Sequence, residues 1–390
     1  MPKVTTALFG DLAVLQHQAE APAKESLEWL TDVLTAYDGT ETSHQSRSMP
    51  RQSLTYTVPL AAWKRAETFN TEYGGIRQKW AIPVWAESQP VGSVTAGQIT
   101  INCDTLLRDL RIDSLAMLYN PDGAYEVVEI ETLTQTSVNA FAPGLAADMS
   151  NAHIVPARVG FVVGDIKTKT NGLDGSATIR FQIDDNLLLV PAEPDQYLGD
   201  DIYFDAGLLG SGSVLVGDIS QRQDLTDFAL GPVEHRSPWV NARMGKRHYS
   251  ILVGEVETRA YREFLYRRAG RFRRFWAPTF ENDLRLKSTG AITTTIDIES
   301  DSFIDHAEIR THFAFLDNAG TWHPRAISDP VQTDAETVTL TLDSSLGLDA
   351  ENIAMVSYLG MNRLDNDRVQ LTWIGGGVVK STVIHLEVEP

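Results

Sequence analysis

Cysteine is almost missing: Cys103 is the only one in 390 residues. No disulfide can close within the chain and no cysteine cluster can hold a metal, so stability must come from packing or assembly. No run approaches the roughly 20 apolar residues of a membrane helix. The opening, MPKVTTALFGDLAVLQ, has one lysine and a Gly-Asp interruption, a poor match to a secretory leader. We therefore expect a chain made in a reducing cytoplasm without membrane contact. Cations are also short, 33 Lys and Arg against 52 Asp and Glu, for a formal net charge of −19. Such a balance repels nucleic acid over most of a surface. HExxH, Walker and GxSxG motifs are absent, which removes the usual metalloprotease, nucleotide and hydrolase signatures. No enzyme activity and no cofactor is expected.

What is present is an ordinary globular composition, 43% hydrophobic and 22% charged, and an internal repeat. Leu30-Thr31-Asp32 recurs as Leu225-Thr226-Asp227. An offset of 196 then matches Arg47 with Arg243, Arg51 with Arg247 and Glu67 with Glu263. The same offset matches Gly74 with Gly270, Arg77 with Arg273 and Trp80 with Trp276. Further on, Asn120–Tyr125 parallels Asn318–Trp322, Gly160 parallels Gly360, and Thr178-Ile179 parallels Thr382-Val383. The reading is a tandem duplication, with domains over about 1–190 and 191–390.

Both copies begin with a strand, Gln52–Val58 and His248–Val253, and continue into a helix, about Leu60–Tyr73 and Val256–Ala269. In the second helix Val256, Ala260, Tyr261, Phe264, Leu265 and Ala269 form an apolar stripe, and Gly270 supplies the left-handed stop. Segments such as QITINCD, ATIRFQI, SVLVGDI, AITTTIDIE, ETVTLTLD and STVIHLEVE alternate with period two. NPDG and DNAG are hairpin signals. The expected fold is mainly β: two tandem β-sandwich or barrel domains, each with one helix.

The stretch Tyr261–Pro278 carries six arginines against one glutamate. Its counterpart in the first copy is far less basic, so DNA contact is not what the two share. They share arginines around a helix and a tryptophan. We read Arg47, Arg51, Arg77, Trp80, Arg243, Arg247, Arg273 and Trp276 as structural or subunit-interface residues whose arginines pair with carboxylates. Other candidates are weak. His306 and His312 read as surface or satisfied histidines. Gly207–Gly217 reads as a flexible loop, because a strand follows it, and Trp373–Gly377 as a strand broken by a turn. Asp184-Asp185 and Asp200-Asp201 read as solvated loop charge, since neighbours on a strand point apart. Trp29, Trp80 and Trp276 sit at core-like positions.

Glu28–Val33, Gly39, Glu41, Arg47 and Pro50-Arg51 form a W-x-T-x-V…G-x-E…R-x-x-P-R pattern. Gly74…Trp80-Ala81-Ile82-Pro83 and Gly270…Phe275-Trp276-Ala277-Pro278 follow it. Together they resemble the distal-tail and baseplate-hub proteins of long-tailed bacteriophages. The second copy departs from the pattern, with Lys246 where a proline precedes the arginine. The resemblance implies a structural virion protein of the tail tip, made in the host cytoplasm. It implies a ring joining the tail tube protein to the hub and tail fibre proteins, with DNA only as passing cargo. A homotrimer with pseudo-sixfold symmetry is favoured, and a homohexamer is the alternative. An acidic lumen is expected to let DNA slide. A carbohydrate- or receptor-binding module of the tail tip is the alternative function, and a cell-wall hydrolase has no residue set in its favour.

Overall fold

A computed structural model describes residues 3–61, 77–170, 174–185, 191, 193–205, 216–239 and 242–388. The chain is mainly β. It starts with a hairpin of β1 (Lys3–Thr6) and β2 (Gly10–Val14), then β3 (Glu20–Glu28), then an arm of β4 (Thr31–Thr35) and β5 (Glu41–Gln45). β6 (Arg51–Ala61) and β7 (Trp80–Pro83) follow. Next come β8 (Gln89–Val94), β9 (Thr100–Asn102), β10 (Leu115–Tyr119), β11 (Tyr125–Thr134) and β12 (Ser137–Ala140). β13 (Met149–Val162), β14 (Lys167–Thr170) and β15 (Asp174–Ile183) complete this half.

A second series follows a similar order, with one strand more. It opens with β16 (Gln196–Tyr197), β17 (Asp200–Asp201), β18 (Val216–Ser220), and an arm of β19 (Asp224–Thr226) and β20 (Glu234–Arg236). β21 (Arg243–Val253) runs into helix α1 (Gly254–Arg268), then β22 (Phe275–Pro278). β23 (Ala291–Ile292), β24 (Thr295–Glu299), β25 (His312–Asp317), β26 (Trp322–Asp334), β27 (Thr337–Leu342) and β28 (Leu348–Asp349) follow. The chain then closes on β29 (Ile353–Leu364), β30 (Arg368–Gly375) and β31 (Val378–Glu387).

Most pairings in the two series correspond, although β8 pairs β13 while β23 pairs β28. β6 pairs β15 as β21 pairs β31, and β7 pairs β13 as β22 pairs β29. β10 lies between β11 and β13 as β25 lies between β26 and β29. β14 flanks β15 as β30 flanks β31, and β3 flanks β6 as β18 flanks β21. Even the parallel contact of β2 with β7 has a counterpart in the bridge from Ile202 to Trp276. The predicted hairpins at NPDG and DNAG are the β10–β11 and β25–β26 turns, with Gly123 and Gly320 at φ 91° and 87°.

One pairing crosses between the series. β3 adds to β30, with Ser26 opposite Gln370 and Glu28 opposite Arg368. An antiparallel sheet of eight strands results, in the order β14-β15-β6-β3-β30-β31-β21-β18. Its inner face rests on two cores, one around Leu54, Tyr56, Trp80 and Phe181, the other around Leu27, Trp29, Phe264, Phe275 and Leu371. Alternation sends Lys24, Arg51, Lys167, Lys169, Arg180, Arg247, Arg368 and Lys380 to the outer face, against Glu20, Glu28 and Asp218, amid serine, threonine and glutamine and, on β21 and β31, Tyr249, Ile251, Ile384 and Leu386. This open face is therefore basic, not acidic as expected from the net charge, because several acids are turned inward to meet arginines.

Several sequence expectations need correction. No sheet among the described residues closes into a barrel. The first strand runs to Ala61, past the expected helix start at Leu60; the rest of that helix lies outside the described residues, as does most of the Gly207–Gly217 loop. Val256 is exposed, and α1 instead buries Thr258, Tyr261, Arg262, Phe264, Leu265 and Arg268. The sequence register of 196 does not hold in the strands. Glu28–Arg51 is the last pair of β3–β6 and Ser220–Arg243 the last of β18–β21, so Arg51 stands at the place of Arg243. Likewise Trp80 and Phe275 each open a strand, β7 and β22, and each packs edge-on against β15 or β31 through Phe181 or His385.

Candidate functional site

The joint between the two series is held by a buried ion network. Arg262, on the inner face of α1, donates to Glu25 of β3 at 2.6 Å and to Glu87 at 3.1 Å, and lies 3.8 Å from Asp109. Glu25 also accepts from Gln52 at 2.8 Å and from the Trp373 indole at 3.3 Å. Glu87 accepts the backbone N–H of Asp109 at 2.6 Å. Asp109 continues the chain of charges to Arg111 at 2.5 Å and to Arg158. At the margin, Arg108 grips Glu255 at the start of α1 with two hydrogen bonds. Breaking a buried pair of this kind costs about 3–5 kcal/mol, because the remaining charge is stranded.

Burial and charge act in opposition here. Burial opposes the charge on Arg262, yet Glu25, Glu87 and Asp109 raise its pKa above the ordinary arginine value. Burial likewise disfavours an ionised Asp109, but Arg158, Arg111 and Arg262 hold its carboxyl well below the usual carboxylate range. Glu87 is pushed up by burial against the pull of Arg262. Asp185, at the outer end, is pushed up to about 6 by burial, which Arg158 at 3.9 Å only partly offsets.

The β4–β5 arm clasps the second series from outside. Thr31 donates its N–H to Asp367 at 2.7 Å, and Arg271 donates to the Thr31 carbonyl at 2.6 Å. Glu41 is held by Arg243 and, at 2.8 Å, by Arg363. Gly39 approaches the Trp239 ring so closely that a Cβ there would lie 3.2 Å from it. The β19–β20 arm touches the β4–β5 arm where Tyr37 donates to Asp224 at 2.7 Å, but its Leu225, Phe228, Leu230 and Val233 are exposed, Leu230 at 95%.

No protein-family model and no curated protein matches this chain. The geometry carries the functional reading.

The basic stretch is mostly spent on internal pairing. Arg262 faces the joint, Arg268 meets Asp201, and Arg271 meets Asp367. Arg273 and Arg274 line a cleft of about 580 Å³ with Arg268, Arg271, Arg363, Glu41 and Asp201. The eight residues chosen from sequence are not one site. Arg47 donates to the Glu28 carbonyl at 2.8 Å, and Arg51 lies exposed opposite Glu28 in the strand register. Arg77, Arg247 and Arg273 are exposed. Trp80 and Trp276 are core residues, 5.8 Å from Phe181 and 5.4 Å from Tyr197 between ring centroids. Arg243 is buried against Trp239 and Glu41.

Asp185 is buried rather than solvated, because it turns in toward Arg158, whereas its neighbour Asp184 stays outside with Lys79. Asp201 likewise serves Arg268. His312 is half-buried against Tyr197 and Trp276. Among the described residues no three of His, Cys, Asp and Glu are placed to hold a metal ion. None of the described helices is long and apolar enough to cross a membrane. Glu25, Glu87 and Asp109 were missed, since acids scattered over 85 positions of sequence form no motif, and Glu41 entered only as part of the G-x-E pattern, not as an arginine partner.

Proposed function

We propose that the protein is a structural component of a bacteriophage tail tip, part of a ring that joins tube to hub and fibres and lets DNA pass. We infer that the chain is a tandem duplication of one β-sandwich-like domain. The observation that carries this reading is the eight-stranded sheet itself: four strands from each series, joined by β3–β30, with a bare strand at each end, β14 and β18. A sheet whose two ends match the two sides of its own central joint is built to continue through further copies. Continuation with a constant rotation closes a ring.

Three chains would supply six matched units, the pseudo-sixfold number a six-fold tube requires. At about 4.8 Å per strand and a tilt of about 35–45°, such a barrel measures roughly 45–50 Å between backbones, wide enough for a DNA duplex. Its inner wall would be the hydroxyl-rich, cationic face rather than an acidic one. The joint's salt network would keep the two domains of one chain in fixed register, so that curvature is set before assembly. Electron microscopy of the purified protein tests this: annular particles with a DNA-wide hole are expected, and compact monomers at all concentrations would refute it.

A further inference from the structure

The internal joint specifies the joint between molecules. We propose that β18 of one copy adds antiparallel to β14 of the next, with the β19–β20 arm laid over that neighbour. This deepens the ring reading and rests on it, but it does not depend on the ring belonging to a phage tail.

β18 occupies in the second series the place of β3 in the first. Ser220 and Glu28 close their respective ladders with β21 and β6, and an arm follows each. β14 occupies the place of β30: Thr168 pairs with Ala177 as Leu371 pairs with Ser381, and a turn carrying Asp165 or Asp367 precedes each. Within the chain, the β3 and β30 edges cover one another. Their counterparts cannot meet in one molecule, since they form opposite ends of the sheet. Among the described residues both keep one unpaired edge.

Carrying the β3–β30 register across fixes the contacts. Ser26 faces Gln370 in the joint, and their counterparts are Asp218 and Lys167. The transferred register therefore sets Asp218 against Lys167 and Ile219 against Ile166. An ion pair and an apolar pair thus face each other across the seam, which would cover Ile219, 72% exposed in the single chain. Two β14 edges cannot pair with one another, because Lys167 and Lys169 would oppose like charge. The seam is head-to-tail, the arrangement that closes a ring.

The test uses the full chain with Cys103→Ala, carrying Asp218→Cys with Lys167→Cys, or Asp218→Cys with Lys169→Cys as a register control. After treatment with a short bis-maleimide, the first is expected to run on a denaturing gel as two- and three-chain species, at least tenfold more than the control. In parallel, Asp218→Lys and Lys167→Glu should each abolish assembly, and the double variant should restore it. Annular particles that lack the cross-link would overturn the seam while leaving the ring. Absence of any assembly by the wild-type chain would overturn both.

Discussion

Arg262 and Glu25 meet at 2.6 Å across 237 positions of sequence, one on the only described α-helix and the other on the strand that joins the two sheets. Both are buried, with Glu87 and Asp109 completing the group. A charge pair at this depth is more a device for fixing register than a source of stability, since removing either member strands the other.

Arg262→Met should therefore destabilise the chain by about 3–5 kcal/mol at pH 7. Urea unfolding would measure it. The deficit should shrink as pH falls and the stranded carboxyls take up protons; a loss independent of pH would mean that the side chain acts by packing alone.

Asp185 gives a pH dependence of opposite origin. Its folded pKa is raised from 3.8 to about 6, so the folded state binds its proton more tightly than the unfolded state. Stability from this group falls as pH rises from about 4 to about 6 and is level above that. Asp185→Asn should raise stability at pH 7 by up to about 3 kcal/mol, at about 1.4 kcal/mol per pKa unit, and change little near pH 4. Thermal melts at the two pH values decide it.

Gly270 follows Ala269, the left-handed cap of α1, with φ 70° of its own, and a Cβ there would clash with Asp367 Oδ1. Asp367 is the residue that accepts the N–H groups of Arg271 and Thr31. Gly270→Ala should cost at least about 1–3 kcal/mol from the left-handed backbone alone. It should also loosen the β4–β5 arm, seen as faster proteolysis between 31 and 45.

Leu230→Ser and Phe228→Ser, on the exposed arm, should leave monomer stability within about 0.5 kcal/mol. Assembly measured by sedimentation should weaken about tenfold or more. Unchanged assembly would remove the arm from the interface.

Much of the β architecture was legible in sequence, because alternation in ATIRFQI, ETVTLTLD and STVIHLEVE reports one buried and one open face, and the NPDG and DNAG turns each need a glycine with positive φ. The helix end was legible from Gly270 to within one residue, the left-handed stop beginning at Ala269. The joint was not. β3 contains Pro22, Lys24 and Glu25, which break any alternating strand pattern, and its pairing with β30 brings together segments some 345 residues apart. Shared arginines and tryptophans gave an offset of 196, yet tryptophan stands first in β7 and second in β22, behind Phe275, so residue identity misstates the register there. The buried acids left no local pattern, because each is supplied by a different element.

The most direct test is the mass of the assembled particle by native mass spectrometry, paired with its rotational symmetry by electron microscopy. Three chains in an annulus showing six similar lobes is the expected result. Six chains, or lobes that alternate between inner and outer radius, would contradict the equivalence of the two domains and the continuous sheet on which the ring depends.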